Sequence, residues 1–131
     1  MKLPDQPLDL RESLASFSEH WTPHVLTELN DYQVKLAKLK GEFVWHSHAD
    51  TDELFLVLEG SLILDLPGGA VELKQGQMYV VPKGVEHRPR ADEECHLLLV
   101  EPRGVVNTGE ARGEFTAAND RWIPGEHPRQ S

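Results

Sequence analysis

The feature that most constrains this chain is a series of short apolar segments, each ended by glycine or proline. Residues 54–66 are almost wholly apolar but are interrupted at Gly60, and a Pro67-Gly68-Gly69 turn leads into a further short apolar segment. Glycine and proline supply the backbone angles that tight turns need, so this spacing predicts hairpins of short strands. Many such strands in succession predict an all-β sandwich or barrel.

The length of 131 residues fits a single folded domain, which we divide into three segments. Residues 1–23 are expected to form a helical arm, residues 24–103 the barrel, and residues 104–131 a polar C-terminal tail that is partly ordered. Within the tail, Trp122 and Ile123 are the apolar residues expected to dock onto the barrel.

Charge and cysteine content argue against several function classes. The net charge of −9 disfavours a nucleic-acid-binding face, which needs a basic patch, and disfavours attraction to anionic lipid headgroups. No apolar stretch has the length of a membrane span. Cys95 is the single cysteine, so no internal disulfide is expected, and its apolar surroundings indicate a buried structural thiol. Because the N-terminus lacks the apolar core of a secretory signal, we expect a cytoplasmic protein.

Three histidines and one glutamate form a candidate set of metal ligands. His46 and His48 are two residues apart, so on a strand they would point to one face with backbones about 7 Å apart. Glu53 follows an acidic, turn-like stretch, and His87 follows a later turn. Three imidazoles and a carboxylate suit one divalent transition metal (Fe, Mn, Ni, Zn or Cu) rather than calcium or magnesium.

The spacing of these residues resembles the two motifs of the cupin superfamily. The first motif is matched by Gly41, His46, His48, Glu53 and Gly60. The second motif is matched by Gly76, Pro82, Gly84 and His87. Two positions depart from the pattern: the gap from Gly41 to His46 is one residue shorter than usual, and Ala91 stands where asparagine is common.

The resemblance implies a jelly-roll barrel, also called a double-stranded β-helix, with the ion held inside its mouth by the four ligands. Within the superfamily the chain is similar to the short single-barrel members named cupin 2, or loosely "mannose-6-phosphate isomerase-like". That second name describes a fold and carries no activity with it.

Strand alternation predicts which side chains share the cavity with the ligands. The residues in phase with the ligands are Val44, Phe55, Val57, Val85 and Pro89. This apolar lining is typical of a pocket for a small molecule.

Two polar side chains near this region leave alternatives open. Lys38 would point inward and could hold a substrate carboxylate if the alternation that starts at Tyr32 persisted, whereas a break in phase would place it in water. Tyr79 is either a hydroxyl behind the ligands or a packed strand aromatic. Trp45 and Arg88 fall on the face opposite the ligands.

Three function classes fit these residues. The first is a metalloenzyme that carries out oxygenase or isomerase chemistry on a small organic substrate at open coordination positions. The second is a protein that binds or senses a small molecule in the same pocket without turnover. The third is an ion held only for stability, because four protein ligands could close a tetrahedral site. We favour the enzyme and assign no catalytic residue beyond the metal set.

The outer face of one strand predicts a homodimer. Glu53 fixes the inward phase, so Leu54, Leu56 and Leu58 must face outward, whereas a lone small sandwich shows polar residues there. The predicted N-terminal helix, with Asp9 as its N-cap, is too short to cover the whole of this apolar surface. Exposed apolar stripes usually mark interfaces, and a two-fold pair is the simplest closed arrangement.

Overall fold

The computed structural model describes residues 6–109, 111 and 113–127, and in this part of the chain one helix and seven strands form. The elements are α1 (Leu10–Ala15), β1 (His24–Leu29), β2 (Tyr32–Glu42), β3 (Glu53–Glu59), β4 (Ser61–Leu66), β5 (Gly69–Lys74), β6 (Met78–Val81) and β7 (Arg88–Pro102). The strands pair antiparallel in the order β1-β2-β7-β3-β6, while β4 pairs with β5 and β7. The prediction of an all-β barrel with a short N-terminal helix is confirmed.

Strand β7 joins the two parts of the barrel. Residues 88–90 of this 15-residue strand pair with β4, most of the strand from residue 90 onward pairs with β2, and residues 96–100 also pair with β3 on the other side. The register of β2 against β7 shifts between Leu39 and Gly41, and such a bulge bends a strand. The interior is filled by apolar side chains from several strands, among them Phe55, Leu64 and Leu97.

Strand β2 has the opposite phase from the one that its apolar residues suggest. Tyr32 is 46% exposed, whereas Gln33 and Lys35 are buried in the barrel. The inward alternative for Lys38 is therefore wrong: its Nζ donates a hydrogen bond of 2.6 Å to the carbonyl oxygen of Phe17, on the outer side of the barrel. The inward phase is tolerated because Lys35 meets a buried carboxylate, which is described below.

Helix α1 lies against this outer side. The Asp9 carboxylate accepts a hydrogen bond of 2.9 Å from the Glu12 backbone N–H, which confirms the predicted N-cap. Leu14 packs in a second apolar cluster with Leu36 of β2 and with Ile123. The Ile123 N–H donates to the Val25 carbonyl, so this part of the tail docks on the barrel as expected.

No helix in the described part of the chain is long and apolar enough to cross a membrane. The cytoplasmic location stays a prediction. Cys95 is buried, and burial raises the pKa of its thiol to about 12, so the thiol is protonated and unreactive at neutral pH.

Candidate metal centre

The four residues singled out from the sequence lie together inside the barrel. His46, His48, Glu53 and His87 are all buried, and each offers one ligand atom within 4.8 Å of the others. Oε1 of Glu53 lies 3.5 Å from Nε2 of His48 and 3.3 Å from Nε2 of His87. The ring centroids of His46 and His87 are 4.2 Å apart.

Backbone hydrogen bonds between the two motifs bring the ligands into register. His46 and His87 form an isolated antiparallel bridge in which each N–H donates to the other carbonyl, at 3.0 and 2.8 Å. The Gly84 N–H donates to the His48 carbonyl at 2.8 Å, with Gly84 at a positive φ of 79°. Glycine adopts such angles readily, so it suits the corner that precedes His87.

The imidazole rings are oriented by their own chain. Nδ1 of His46 is 2.9 Å from the Val44 carbonyl, and Nδ1 of His87 is 3.0 Å from the Val85 carbonyl. A carbonyl only accepts, so Nδ1 carries the proton in both rings and the Nε2 lone pairs are free.

Ligand atoms of this centre are buried without hydrogen-bond partners. Nε2 of His48, Nε2 of His87 and Oε1 of Glu53 make none. Buried polar atoms are nearly always satisfied, so three such atoms converging on one point need a common partner. A transition-metal ion fits the donor set of three imidazoles and one carboxylate.

The electrostatics of the centre favour the ligand forms. Burial, together with the nearby charge of His87, lowers the pKa of His46 to about 4, so its ring is neutral at pH 7. Burial alone would raise the pKa of Glu53, but its close neighbours His48, His87 and Glu101 outweigh this effect and hold the pKa well below its usual range. Neutral imidazoles and an ionised carboxylate are the states that bind metal.

A small cavity adjoins the centre. Its volume is about 40 Å³, counted as the space open to the centre of a water molecule, and a single water needs roughly 10–15 Å³ on that count. Its wall contains His46, Glu53 and Glu101, and its other lining residues are Trp21, Pro23, Ala37, Leu39, Phe43, Phe55, Pro89, Leu97, Leu99 and Asn107. The cavity is therefore apolar and aromatic apart from a few polar groups on one side.

Of the five residues predicted to line this cavity, the structure places two in its wall, Phe55 and Pro89. Val44, Val57 and Val85 are not among the lining residues that the structure describes. Val57 is fully buried deeper in the core, and residues 43–45 and 85 lie outside regular strands, so strict alternation does not hold there. Phe43 takes the place expected for Val44, with its ring 5.4 Å from that of His46.

Sequence reasoning missed two charged residues behind the centre. Nζ of Lys35 donates a hydrogen bond of 2.8 Å to Oε1 of Glu101, and the two residues are only 2% and 1% exposed. Burial and the adjacent charge of Glu53 raise the pKa of Glu101 well above 4.5, although Lys35 opposes this in part. The signal for Glu101 was its alternation with Leu97 and Leu99, which places all three on the inner face of β7.

The tail, which we expected to be polar and only partly ordered, contributes Asn107 to the cavity wall. The Asn107 side chain donates to the carbonyls of Trp21 and Phe115 and accepts from the Ala117 N–H, so it ties the tail to the chain before β1. A Cβ on Gly109 would collide with the Ser47 carbonyl oxygen, so only glycine fits against the His46–His48 loop.

Tyr79, Trp45 and His96 have structural roles. Tyr79 packs against the core as a strand aromatic. Trp45 is 44% exposed, and its ring lies 5.6 Å from the Arg88 guanidinium, on the outer side as expected. His96 forms ion pairs with Glu59 and Glu94 at the surface.

Comparisons with known proteins agree with this architecture. Residues 33–101 match the sequence profile described as "Cupin domain". The uncharacterized protein YdbB of Bacillus subtilis is 40% identical over 94 residues, which are 71% of this chain and 77% of YdbB. The crystal structure of a cupin-2 domain containing protein from Shewanella frigidimarina has a TM-score of 0.73 and 51% identity, over 73% of this chain and 94% of that one.

A more distant likeness is to an enzyme. The hydroquinone 1,2-dioxygenase PnpCD, solved in complex with Fe³⁺, has a TM-score of 0.66 and 17% identity, over 72% of this chain and 31% of that one. At this identity the likeness shows a shared fold and nothing more.

Proposed function

The chain belongs to the cupin family, and from the contents of its barrel we propose that it is a metal-dependent enzyme acting on a small organic substrate. The ligands of its single divalent transition metal would be His46, His48, Glu53 and His87. The observation that carries the proposal is the convergence of unpartnered, buried ligand atoms beside an otherwise apolar cavity.

The ion, when bound, would supply Lewis-acid or redox chemistry at any coordination position left open. Oxygenase and isomerase chemistry both fit such an ion, and the proteins of similar fold include a dioxygenase solved with iron. Together the four residues offer four ligand atoms. An octahedral shell takes six ligand atoms, so positions would remain for a substrate.

The residues around the cavity would bind and orient the substrate. Phe43 stacks on Trp21 with ring centroids 4.6 Å apart, and Phe55 stands edge-on to His87 at 5.9 Å. These aromatic walls favour a small apolar, planar molecule and exclude water from the ligands. The Glu53 carboxylate in the cavity wall disfavours a strongly anionic substrate beside it.

Direct binding of a small anion to the ion tests the proposal. Protein loaded with Co²⁺ or Fe²⁺ should change its visible spectrum on titration with azide or nitrite, because an exogenous ligand enters an open position. The matched variant Phe55→Leu should keep the metal and the azide response but bind aromatic ligands more weakly. A metal-loaded spectrum that azide leaves unchanged would mean a closed site, which is the structural-ion alternative. Azide binding without turnover of any phenolic or carbonyl compound with O₂ would favour the binding or sensing alternative.

We also propose that the protein pairs with a second copy through an outer stripe. Two neighbouring rows of paired strand positions form this stripe: Val34, Val100, Leu54 and Val80 in one row, and Leu98, Leu56 and Met78 in the other. Met78 and Val80 are 59% and 45% exposed. The cluster that contains Leu14 of α1 packs against one residue of the stripe, Leu98, and against Leu58 beside it. The other residues of the stripe are left uncovered by α1.

A second copy fits the stripe better than a charged partner does, because the two rows carry no charge while the chain has a net charge of −9. Sedimentation at micromolar concentration should give a dimer. The Met78→Lys/Val80→Lys variant should be monomeric and keep its metal, while the control Leu29→Lys, at an exposed apolar residue outside the stripe, should remain dimeric. A wild-type monomer would contradict the pairing.

A further inference from the structure

A buried lysine–glutamate pair stands directly behind the carboxylate ligand. Nζ of Lys35 is 2.8 Å from Oε1 of Glu101, whose other oxygen, Oε2, is buried without a hydrogen-bond partner. Glu101 shares the cavity wall with Glu53, and the pairing of Leu54 with Val100 sets the two carboxyl residues side by side on β3 and β7. Lys35 and Glu101 lie on adjacent strands, β2 and β7, and both point into the barrel. The three side chains therefore form one continuous row from the barrel wall to the ligand set.

Stability alone does not account for this pair. Taking both charges out of water is costly, and replacing a buried ion pair by apolar side chains of similar size is often neutral or stabilising. Gln33, which pairs with Glu101, is also buried on this face, but the neighbours on the other side of the pair are apolar: Ala37 and Leu39 on β2, and Leu97 and Leu99 on β7. Two apolar residues would thus complete the core at these positions, so the charged pair points to another role.

The ligands differ in how they are held. The rings of His46 and His87 are fixed by hydrogen bonds to carbonyls two residues earlier in their own chain. Oε1 of Glu53 lies 3.5 Å from Nε2 of His48 and 3.3 Å from Nε2 of His87, which are themselves proposed ligands, and Glu101 lies beside Glu53 in the cavity wall. Glu101 is therefore the contact that can orient Glu53 from outside the ligand set.

We propose that Lys35 and Glu101 are positioning residues for the metal centre: Lys35 fixes Glu101, and Glu101 fixes the orientation of Glu53 toward the ion. Partners behind the first ligands commonly set both the orientation and the strength of those ligands. The pair also balances charge, because two adjacent carboxyl groups in a buried site need cations nearby, and Lys35 supplies one of them. The inference rests on the proposed metal binding.

Two variants separate positioning from simple packing. In Lys35→Met/Glu101→Leu the pair is replaced by apolar side chains, so the fold should persist, with a thermal midpoint no lower than that of the wild type. Its affinity for Co²⁺, measured by competition with a chelator, should fall by about 10- to 100-fold. Its Co²⁺ absorption bands should shift, because Glu53 is free to turn.

Glu101→Gln is the conservative variant. Its amide can accept from Lys35 and donate to Glu53, so the affinity should stay within about threefold of the wild type, well inside the range seen for loss of such a partner. Arg121→Met/Glu19→Leu removes an exposed ion pair of the same length, 2.8 Å, and should change neither affinity nor spectrum.

The outcomes distinguish this inference from the proposed function. A wild-type protein that binds no Co²⁺ would overturn both. A wild type that binds Co²⁺ together with a Lys35→Met/Glu101→Leu variant of equal affinity and unchanged spectrum would overturn the positioning role alone. A Glu101→Gln variant as weak as the double variant would also overturn it, because the hydrogen bonds would then not be what matters.

Discussion

One part of the sheet formed by strands β2, β7 and β3 reverses the usual arrangement of an apolar inner face and a polar outer face. Near the metal centre the inner face carries Lys35, Glu101 and Glu53, while the outer face at paired positions carries Val34, Val100 and Leu54. Antiparallel sheets ordinarily place apolar residues inside and polar residues outside. We propose a partner for each reversal: an ion for the inner face, and α1 together with a second copy of the chain for the outer face.

The largest difference between the two faces is expected in metal affinity, when the proposed ligand His87 is compared with His96, which lies outside the metal centre. His87→Ala should lower the affinity for the ion by more than about a hundredfold, beyond the loss seen for residues that only support ligands. His96→Ala, which removes a surface ion pair, should leave the affinity unchanged. Competition with a chelator for Zn²⁺ or Co²⁺ measures the affinity of both variants. Equal losses of affinity would show that the inner face does not hold the ion.

The second-largest effect is expected on the free energy of unfolding when one buried charge is removed. Lys35→Met leaves Glu101 and Glu53 without a neighbouring cation in the metal-free protein, so the free energy of unfolding should fall by about 3–5 kcal/mol. Val34→Thr, one residue earlier and on the outer face, should cost less than about 1.5 kcal/mol. Urea unfolding of the chelated proteins at pH 7 gives both values. A Lys35→Met variant as stable as the wild type would show that Lys35 carries no compensating charge.

The pH dependence should also come from the inner face. His46 takes up a proton near pH 4 in the folded state but near 6.5 when unfolded, so between these values the unfolded chain binds more protons. The stability of the metal-free protein should therefore fall as the pH drops from 6.5 to 4, with a contribution of about 3 kcal/mol from this residue. His46→Gln should lose less stability than the wild type over that interval. Identical pH profiles for the two proteins would contradict the lowered pKa.

The smallest effect is expected at the helix on the outer face. Asp9→Ala removes the N-cap of α1 and should lower the free energy of unfolding by about 1 kcal/mol. The metal affinity should not change, because α1 packs on the outer side of β2 and β7. Thermal unfolding and a Co²⁺ titration on one preparation measure both, and a coupled loss of affinity would mean that the two faces are not independent.

The proposed ligands could be recognised in the sequence because their spacing is set within two short turn segments. His46 and His48 share one loop, and the Pro82-x-Gly84 corner places His87 opposite them. The outward phase of β3 was likewise predictable, since Glu53 starts the strand and alternation holds without interruption through it.

The parts that could not be predicted depend on contacts between distant segments. Lys35 looks like a surface lysine until Glu101, 66 residues later, supplies its partner across β2 and β7. Asn107 and Trp21 reach the cavity only because the tail folds back to the chain before β1. Val44 failed to follow alternation because the chain leaves regular strand geometry at that point.

Metal analysis of the purified protein tests the central claim most directly. After growth in rich medium and reconstitution with a mixture of first-row metals, the wild type should hold close to one ion per chain, as expected for one cluster of ligands. His48→Ala and His87→Ala, prepared in the same way, should hold almost none. A wild-type protein that is folded yet free of metal after this treatment would contradict the account.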